Sequence, residues 1–424
     1  MPDHPYQNDP PCQNEPCPQD SAALPHRSLR ITRRAALLGL VGAVTLGRAS
    51  LALAAAPTER RLVVVLLRGA LDGMSAVVPY GDPHLAGLRG ALLPPQPGGA
   101  TGALLDLGGF YGLHPALAGL HGLYRQNQLL MVHAVAGNWR MRSHFEAQDC
   151  MESGADHRLD SGWLNRAAGL LQAGGGRPAP AMGAAVAFSP GLPLLLRGPT
   201  RVGSWLPDMA MHPDASLYRS IADMSHADPL LGPAITEGLR ERGFSDAALA
   251  GGPPPRGFGF TTLANAAGRL LAAADGPRLA ALEVGGWDTH AAQANRLAYP
   301  MRELDEGLMA LKAGLGDAWA QTAMLVMTEF GRTVRINGTN GTDHGTGTVA
   351  FLLGGAVAGG RVRADRPGLA PNRLFENRDL APPTDLRALA KGVLAAHRGM
   401  GAAALARVFP DSAAATPLPH LLHA

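Results

Sequence analysis

Five short apolar runs stand out along the chain: Leu62–Leu67, Leu129–Val135, Leu279–Val284, Ala323–Met327 and Val349–Leu353. The first is rich in β-branched residues, and all five are apolar at nearly every position instead of alternating. Such runs predict strands covered on both faces, as in a parallel sheet. Segments with helical periodicity lie between them: Pro115–Gln126, Phe145–Glu152, Trp163–Gln172, Thr262–Ala274, Pro300–Gly314 and Asp385–Ala396. Alternation of buried strands with helices predicts an α/β architecture, a mostly parallel central sheet with helices on both faces. Pro/Gly-rich stretches at 94–102, 174–183 and 251–259 predict surface loops. Residues 189–250 have weak strand signals and several Met and Pro, and predict a helical insertion over one sheet edge. Strands before and after it would share a sheet. A single domain over 57–424, with an insertion near 189–260, is therefore expected.

The N-terminus follows different rules. Residues 1–30 are polar and proline-rich, and predict a disordered extension that joins no core. Arg33-Arg34 then precedes an uncharged apolar run, Ala35–Gly47. That run is too short to span a bilayer, which takes about 20 residues. It suits the apolar region of a signal peptide, and Ala52-Leu53-Ala54 offers small residues at the −3 and −1 positions of a cleavage site. The paired arginines predict a twin-arginine export signal over 1–54, with the twin-arginine translocase as a transient partner and the periplasm or exterior as destination. No stable transmembrane segment is expected.

Composition narrows the function classes. With 46% hydrophobic and 17% charged residues, the 424-residue chain is neither disordered overall nor fibrous. The net charge is +3; removal of 1–54 takes away five arginines and four acids and leaves +2. That provides no strong field for nucleic acid. Three cysteines are too few for a disulfide scaffold, and the mature chain keeps only Cys150.

Ligands of parallel sheets bind beyond the carboxyl ends of the strands. Arg68-Gly69-Ala70-Leu71-Asp72-Gly73 follows the first run, and Arg142-Ser143-His144 comes after the second. Gly286-Trp287-Asp288-Thr289-His290 follows the third, and Thr328-Glu329-Phe330-Gly331-Arg332 the fourth. Gly341-Thr342-Asp343-His344-Gly345 precedes the last. Asp72, Asp288, Glu329 and Asp343 supply carboxylates, and His144, His290 and His344 supply imidazoles. That mixture of oxygen and nitrogen donors suits a divalent cation. Plainer readings stand beside it. Asp72-Gly73 is also a turn or cap signal. Ser143-His144-Phe145-Glu146 has the spacing of a capping box, which is compatible with an anion held at the helix start. Glu329 has the spacing to pair with Arg332. Asp288-Thr289-His290 could be a simple Asx-turn, and Asp343-His344 simple loop polarity. His114, His121 and His133 read as structural.

On these stretches, together with Ser161-Gly162-Trp163-Leu164, the chain resembles the exported family called domain of unknown function 1501. That family is in turn similar to the alkaline phosphatase superfamily. The resemblance implies an alkaline phosphatase-like sandwich with one or two divalent ions, zinc first, with manganese, magnesium or calcium as alternatives. It implies Asp72, Asp288, His290, Glu329 and His344 as ligands, with Ser143 as nucleophile. Arg142 or Arg332 would hold the nonbridging oxygens of a small-molecule or polymeric ester. Two departures stand out. The superfamily's Asp-x-x-x-His pair is Asp-x-His here, and the usual Asp-His after the next strand is Glu329-Phe330. Phe cannot ligate, so either one metal is lost or His144 or Asp343 substitutes. The implied function is a metal-dependent hydrolase of phosphate or related esters. The alternative is an inactive metal-binding or envelope-interaction protein on the same fold. No Gly-x-Ser-x-Gly elbow, Walker A loop, His-Glu-x-x-His or dinucleotide fingerprint is present.

Overall fold

The computed structural model describes residues 59–423 apart from 174–179, 181, 208–214, 253–254, 256 and 258. The expected leader over 1–54 and most of the loop expected at 174–183 lie outside the described residues. The strands, in chain order, are β1 (Arg61–Leu67), β2 (Val77–Val78), β3 (Leu105–Asp106), β4 (Gly112–Leu113), β5 (Leu129–Ala136), β6 (Val186–Phe188), β7 (Gly203–Ser204), β8 (Leu279–Val284), β9 (Thr322–Thr328), β10 (Thr348–Leu353), β11 (Arg361–Arg363) and β12 (Thr384–Asp385). The helices are α1 (Gly73–Ala76), α2 (Leu85–Arg89), α3 (Ala118–Arg125), α4 (His144–Ser153), α5 (Trp163–Ala173), α6 (Ala215–Ser225), α7 (Leu231–Leu249), α8 (Phe260–Ala272), α9 (Gln293–Leu315), α10 (Leu386–Arg398) and α11 (Ala402–Val408).

All five apolar runs are strands of one nine-stranded sheet in the order β11-β5-β10-β9-β1-β8-β6-β7, with β12 alongside β5. Every pairing is parallel except those of β10, which runs antiparallel to both β5 and β9. The Val349–Leu353 run is apolar throughout because both faces are covered, and coverage carries no information about direction. The reversal has a consequence for function. The segment before β10 lies at the same sheet edge as the segments after β1, β5, β8 and β9.

Alternate residues of β1 enter opposite cores. Val63, Val65 and Leu67 pack with Leu120 of α3, Leu270 of α8 and Leu304 and Leu308 of α9. Leu62, Val64 and Leu66 pack with Trp163 and Leu164 of α5, Leu389 and Val393 of α10 and Val408 of α11. The protein is thus an α/β sandwich with helices on both faces. Helix α9 begins seven residues before the expected start at Pro300, which lies buried inside it. Proline costs a backbone hydrogen bond there, but Leu297 and Met301 on either side are anchored in the core. Residues 194–196 form a buried turn, and α6 and α7 follow β7. Among the described residues no helix is long and apolar enough to cross a membrane.

Candidate metal centre

Close backbone approach builds the site. Gly69 follows β1 with φ +116°, and a Cβ there would lie 2.9 Å from the Asp288 nitrogen. A Cβ on Gly341 would come within 2.1 Å of the His290 carbonyl oxygen. Glycine at these two points lets the loops after β1 and β8 and before β10 pack against one another. The loop after β5 closes the ring. Its Arg142 is held at φ 56°, a left-handed conformation uncommon for a side-chain-bearing residue.

Three imidazoles converge there. His344 Nε2 lies 3.0 Å from His144 Nε2 and 3.0 Å from His290 Nε2. Asp288 adds a carboxylate, with Oδ1 3.0 Å from His290 Nε2 and 3.3 Å from His344 Nε2. Its Oδ2 is 3.6 Å from His144 Nε2. His144, Asp288 and His344 form the one group among the described residues whose donor atoms gather closely enough to hold a metal ion.

The far nitrogen of each ring faces an acceptor. His144 Nδ1 is 2.8 Å from Glu329 Oε1, and His344 Nδ1 is 3.0 Å from the Arg142 carbonyl oxygen. His290 Nδ1 is 3.4 Å from Asp343 Oδ1. A proton on each Nδ1 leaves Nε2 as a bare lone pair. Lone pairs facing each other at 3.0 Å repel unless a proton or a cation lies between them. Tetrahedral ligands at 2.0–2.1 Å from zinc would be about 3.3 Å apart, close to the observed spacings. His144, Asp288 and His344 therefore fit a divalent site, with His290 beside it and outside that close group.

Electrostatics sort these groups. The hydrogen bond that His144 donates to Glu329 raises the imidazole above its ordinary value, against the effect of burial. Burial lowers His344, with the Arg142 carbonyl acting the other way. Burial also opposes ionisation of Asp288, but the Arg332 guanidinium, aided by His290 and His144, holds its carboxyl below the usual range. Arg332 donates from Nη1 to Asp288 Oδ1 at 2.7 Å. Its side chain is wholly buried, yet Nη2 has no hydrogen-bond partner. The indole N–H of Trp139, in the loop after β5, is a second buried donor without a partner.

Other predicted residues lie around this cluster or away from it. Asp72 is outside it. It caps α1, and its carboxylate binds the Arg89 guanidinium, Ser75 Oγ and Gln293 Nε2. These partners, Arg89 chief among them, overcome burial and keep its carboxyl below the ordinary value. Glu329 is behind His144, with hydrogen bonds to both oxygens. Asp343 stands behind His290 and takes a bond from Asn337 at 3.1 Å. The Arg142 side chain turns away to Glu376 and Asp379. Ser143 occupies the cap position of α4, but its side chain makes no capping bond, so the predicted capping box does not form. Phe330 is buried and packs its ring against His144 and His344, 4.9 and 5.2 Å between centroids, as an apolar wall.

Residues 138–409 match the model of a family described as protein of unknown function, DUF1501. The chain belongs to DUF1501. No curated protein matches this DUF1501 chain. Among solved structures, it is similar to the C-terminal periplasmic domain of EcEptC from Escherichia coli, a crystal structure in complex with Zn. That match has 9% identity and a TM-score of 0.30, and covers 71% of this chain and 74% of the other. Both values are too low for residues of that domain to be carried over to this one.

Sequence reasoning did not single out Arg89, Gln148, Gln293 or Asp379. Gln293 joins Asp72 to Thr289 and Thr342, whose hydroxyls donate to its Oε1 at 2.9 and 2.6 Å. None of the four stands in a motif after a strand, and no local pattern marks them.

Proposed function

We propose that this DUF1501 protein is an exported hydrolase of phosphate or related esters, built around one divalent cation held by His144, His344 and Asp288, with His290 beside them. The observation that carries the reading is the convergence of donor atoms from His144, Asp288 and His344, with each imidazole Nδ1 facing an acceptor. Two imidazoles and one carboxylate, with the His290 imidazole alongside, favour zinc over magnesium or calcium, which prefer all-oxygen shells. A single ion is supported because Asp72 is neutralised by Arg89 and Glu329 is buried with its Oε1 crowded by three donors. Bound there, the cation would supply Lewis-acid polarisation of an ester oxygen and a lowered pKa for a nearby hydroxyl.

The chain's own residues then take distinct parts. Ser143 is the proposed nucleophile: it precedes His144 directly and its hydroxyl is not spent on capping α4. Arg332, wholly buried, fixes Asp288 through Nη1 and so holds that carboxylate in place. Arg142 is committed to Glu376 and Asp379. The motif resemblance to the alkaline phosphatase superfamily and the twin-arginine pattern of the leader support the ester chemistry and the export. A second reading, a metal-binding envelope protein without catalysis, draws on the lack of a hydrogen-bonded base beside the Ser143 hydroxyl.

The test uses mature protein purified from the exported fraction. Metal content is measured first, then turnover of aryl phosphate mono- and diesters by wild type and Ser143→Ala. Zinc with turnover lost in the variant supports the hydrolase. Zinc without turnover on a broad ester panel supports the second reading. A protein that takes up no zinc overturns both.

A further inference from the structure

We infer that Glu329 is a positioning residue that fixes the tautomer and direction of His144 without itself touching the cation. The inference rests on the metal reading above. A carboxylate offers about four acceptor positions, about two on each oxygen, and the donors crowd onto Oε1. Oε1 receives the Gly69 N–H at 2.9 Å, His144 Nδ1 at 2.8 Å and Gln148 Nε2 at 2.9 Å. Oε2 lies 2.7 Å from Thr328 Oγ1, whose one O–H it shares with the Leu67 carbonyl oxygen at 2.8 Å. The side chain is fully buried. Oε1 has no acceptor position left for an ion, and Oε2 is closed off from solvent.

The donors come from three elements at one sheet edge. Gly69 follows β1, Thr328 ends β9, and His144 and Gln148 stand one turn apart on α4. Glu329 thus ties the start of α4 to the ends of two central strands. An ionised carboxylate only accepts hydrogen bonds, so the proton of neutral His144 is drawn to Nδ1. Nε2 is then presented to His344 and Asp288 as a lone pair. Gln148 strengthens the arrangement from outside: its Oε1 accepts from Arg68 Nη1 at 3.1 Å, which turns its amide N–H₂ toward Glu329. Acceptors behind metal-bound histidines orient the ring and raise its basicity, and their loss typically weakens metal binding about 10- to 100-fold.

The experiment compares full-length mature wild type with Glu329→Gln and Glu329→Ala. Glu329→Gln keeps an acceptor oxygen and the volume; Glu329→Ala removes the acceptor. Zinc affinity is read by chelator competition, and the His144 tautomer by ¹⁵N NMR of its ring nitrogens in metal-free protein. We expect about tenfold weaker zinc binding with the tautomer retained in Glu329→Gln, and about 100-fold weaker binding with mixed tautomers in Glu329→Ala. A merely structural Glu329 would lower the melting temperature and leave both readouts unmoved. If Glu329→Ala does not fold, unchanged zinc affinity in Glu329→Gln alone overturns the inference. Wild type that binds no zinc overturns instead the metal reading beneath it.

Discussion

Asp72→Asn should destabilise the protein strongly while leaving its affinity for zinc unchanged. Asp72 and Arg89 form an ion pair with side-chain exposures of 1% and 0%. Removing one partner of such a pair leaves an uncompensated buried charge and typically costs about 3–5 kcal/mol. Asparagine keeps an oxygen for the Met74 N–H, and Arg89 retains the carbonyls of Val334 and Thr333 and the Ser75 hydroxyl. The cost should therefore fall near the lower bound, about 3 kcal/mol. Against a typical total of about 5–15 kcal/mol that is a large fraction. The pH dependence gives an independent check. The folded-state carboxyl lies below its unfolded value, so its stabilisation is complete at neutral pH. It is lost as pH falls from the unfolded value of about 4 through the depressed folded one. Asp72→Asn has no such loss, and the two proteins should converge in acid. Urea denaturation followed by far-UV circular dichroism measures the stability, and chelator competition measures the zinc affinity. A variant as stable as wild type but unable to hold zinc would refute the reasoning and make Asp72 a ligand.

His344→Ala should remove the zinc-dependent rise in thermal stability, which for wild type at a hundredfold excess over Kd is worth about 2.7 kcal/mol; an undiminished shift would exclude His344 as a ligand. Zinc affinity should fall as pH decreases, because protons compete for the imidazoles. The raised His144 value sets the onset above the ordinary histidine value of about 6.5; competition titrations across that range would show a flat profile if histidine were not involved. Gly69→Ala must adopt φ +116° and bring its Cβ to 2.9 Å from the Asp288 nitrogen. It should cost about 1–3 kcal/mol in backbone strain alone and weaken zinc binding, both measurable by melting curves with and without the metal. Trp163→Ala, in the core formed with α10 and α11, should cost about 3–5 kcal/mol by cavity formation but leave the zinc affinity of the folded protein intact.

Five strands of the central sheet, β1, β5, β8, β9 and β10, were readable from local composition, and the short β6, β7, β11 and β12 were not. An unbroken run such as Leu62–Leu67 is buried on both faces wherever it pairs, so the run alone identifies it. The placement of chemistry after strand ends was readable for the same reason, and His144, Asp288, His290 and His344 do meet at one edge. The direction of β10 was not encoded in its own residues, since a fully covered strand is apolar in either orientation. Nor could the chain show which acid faces the imidazoles and which faces a guanidinium. Asp72 and Asp288 each stand in a loop after a strand and look alike as letters. Arg89 on α2 claims the first, while the convergence of three separate loops leaves the second beside the histidines. Glu329 differs from a ligand only because donors from β1, β9 and α4 occupy both its oxygens. Burial follows from neighbours along the chain and is written locally. The role of a polar group follows from which distant partners reach it, and folding alone brings those partners within hydrogen-bond range.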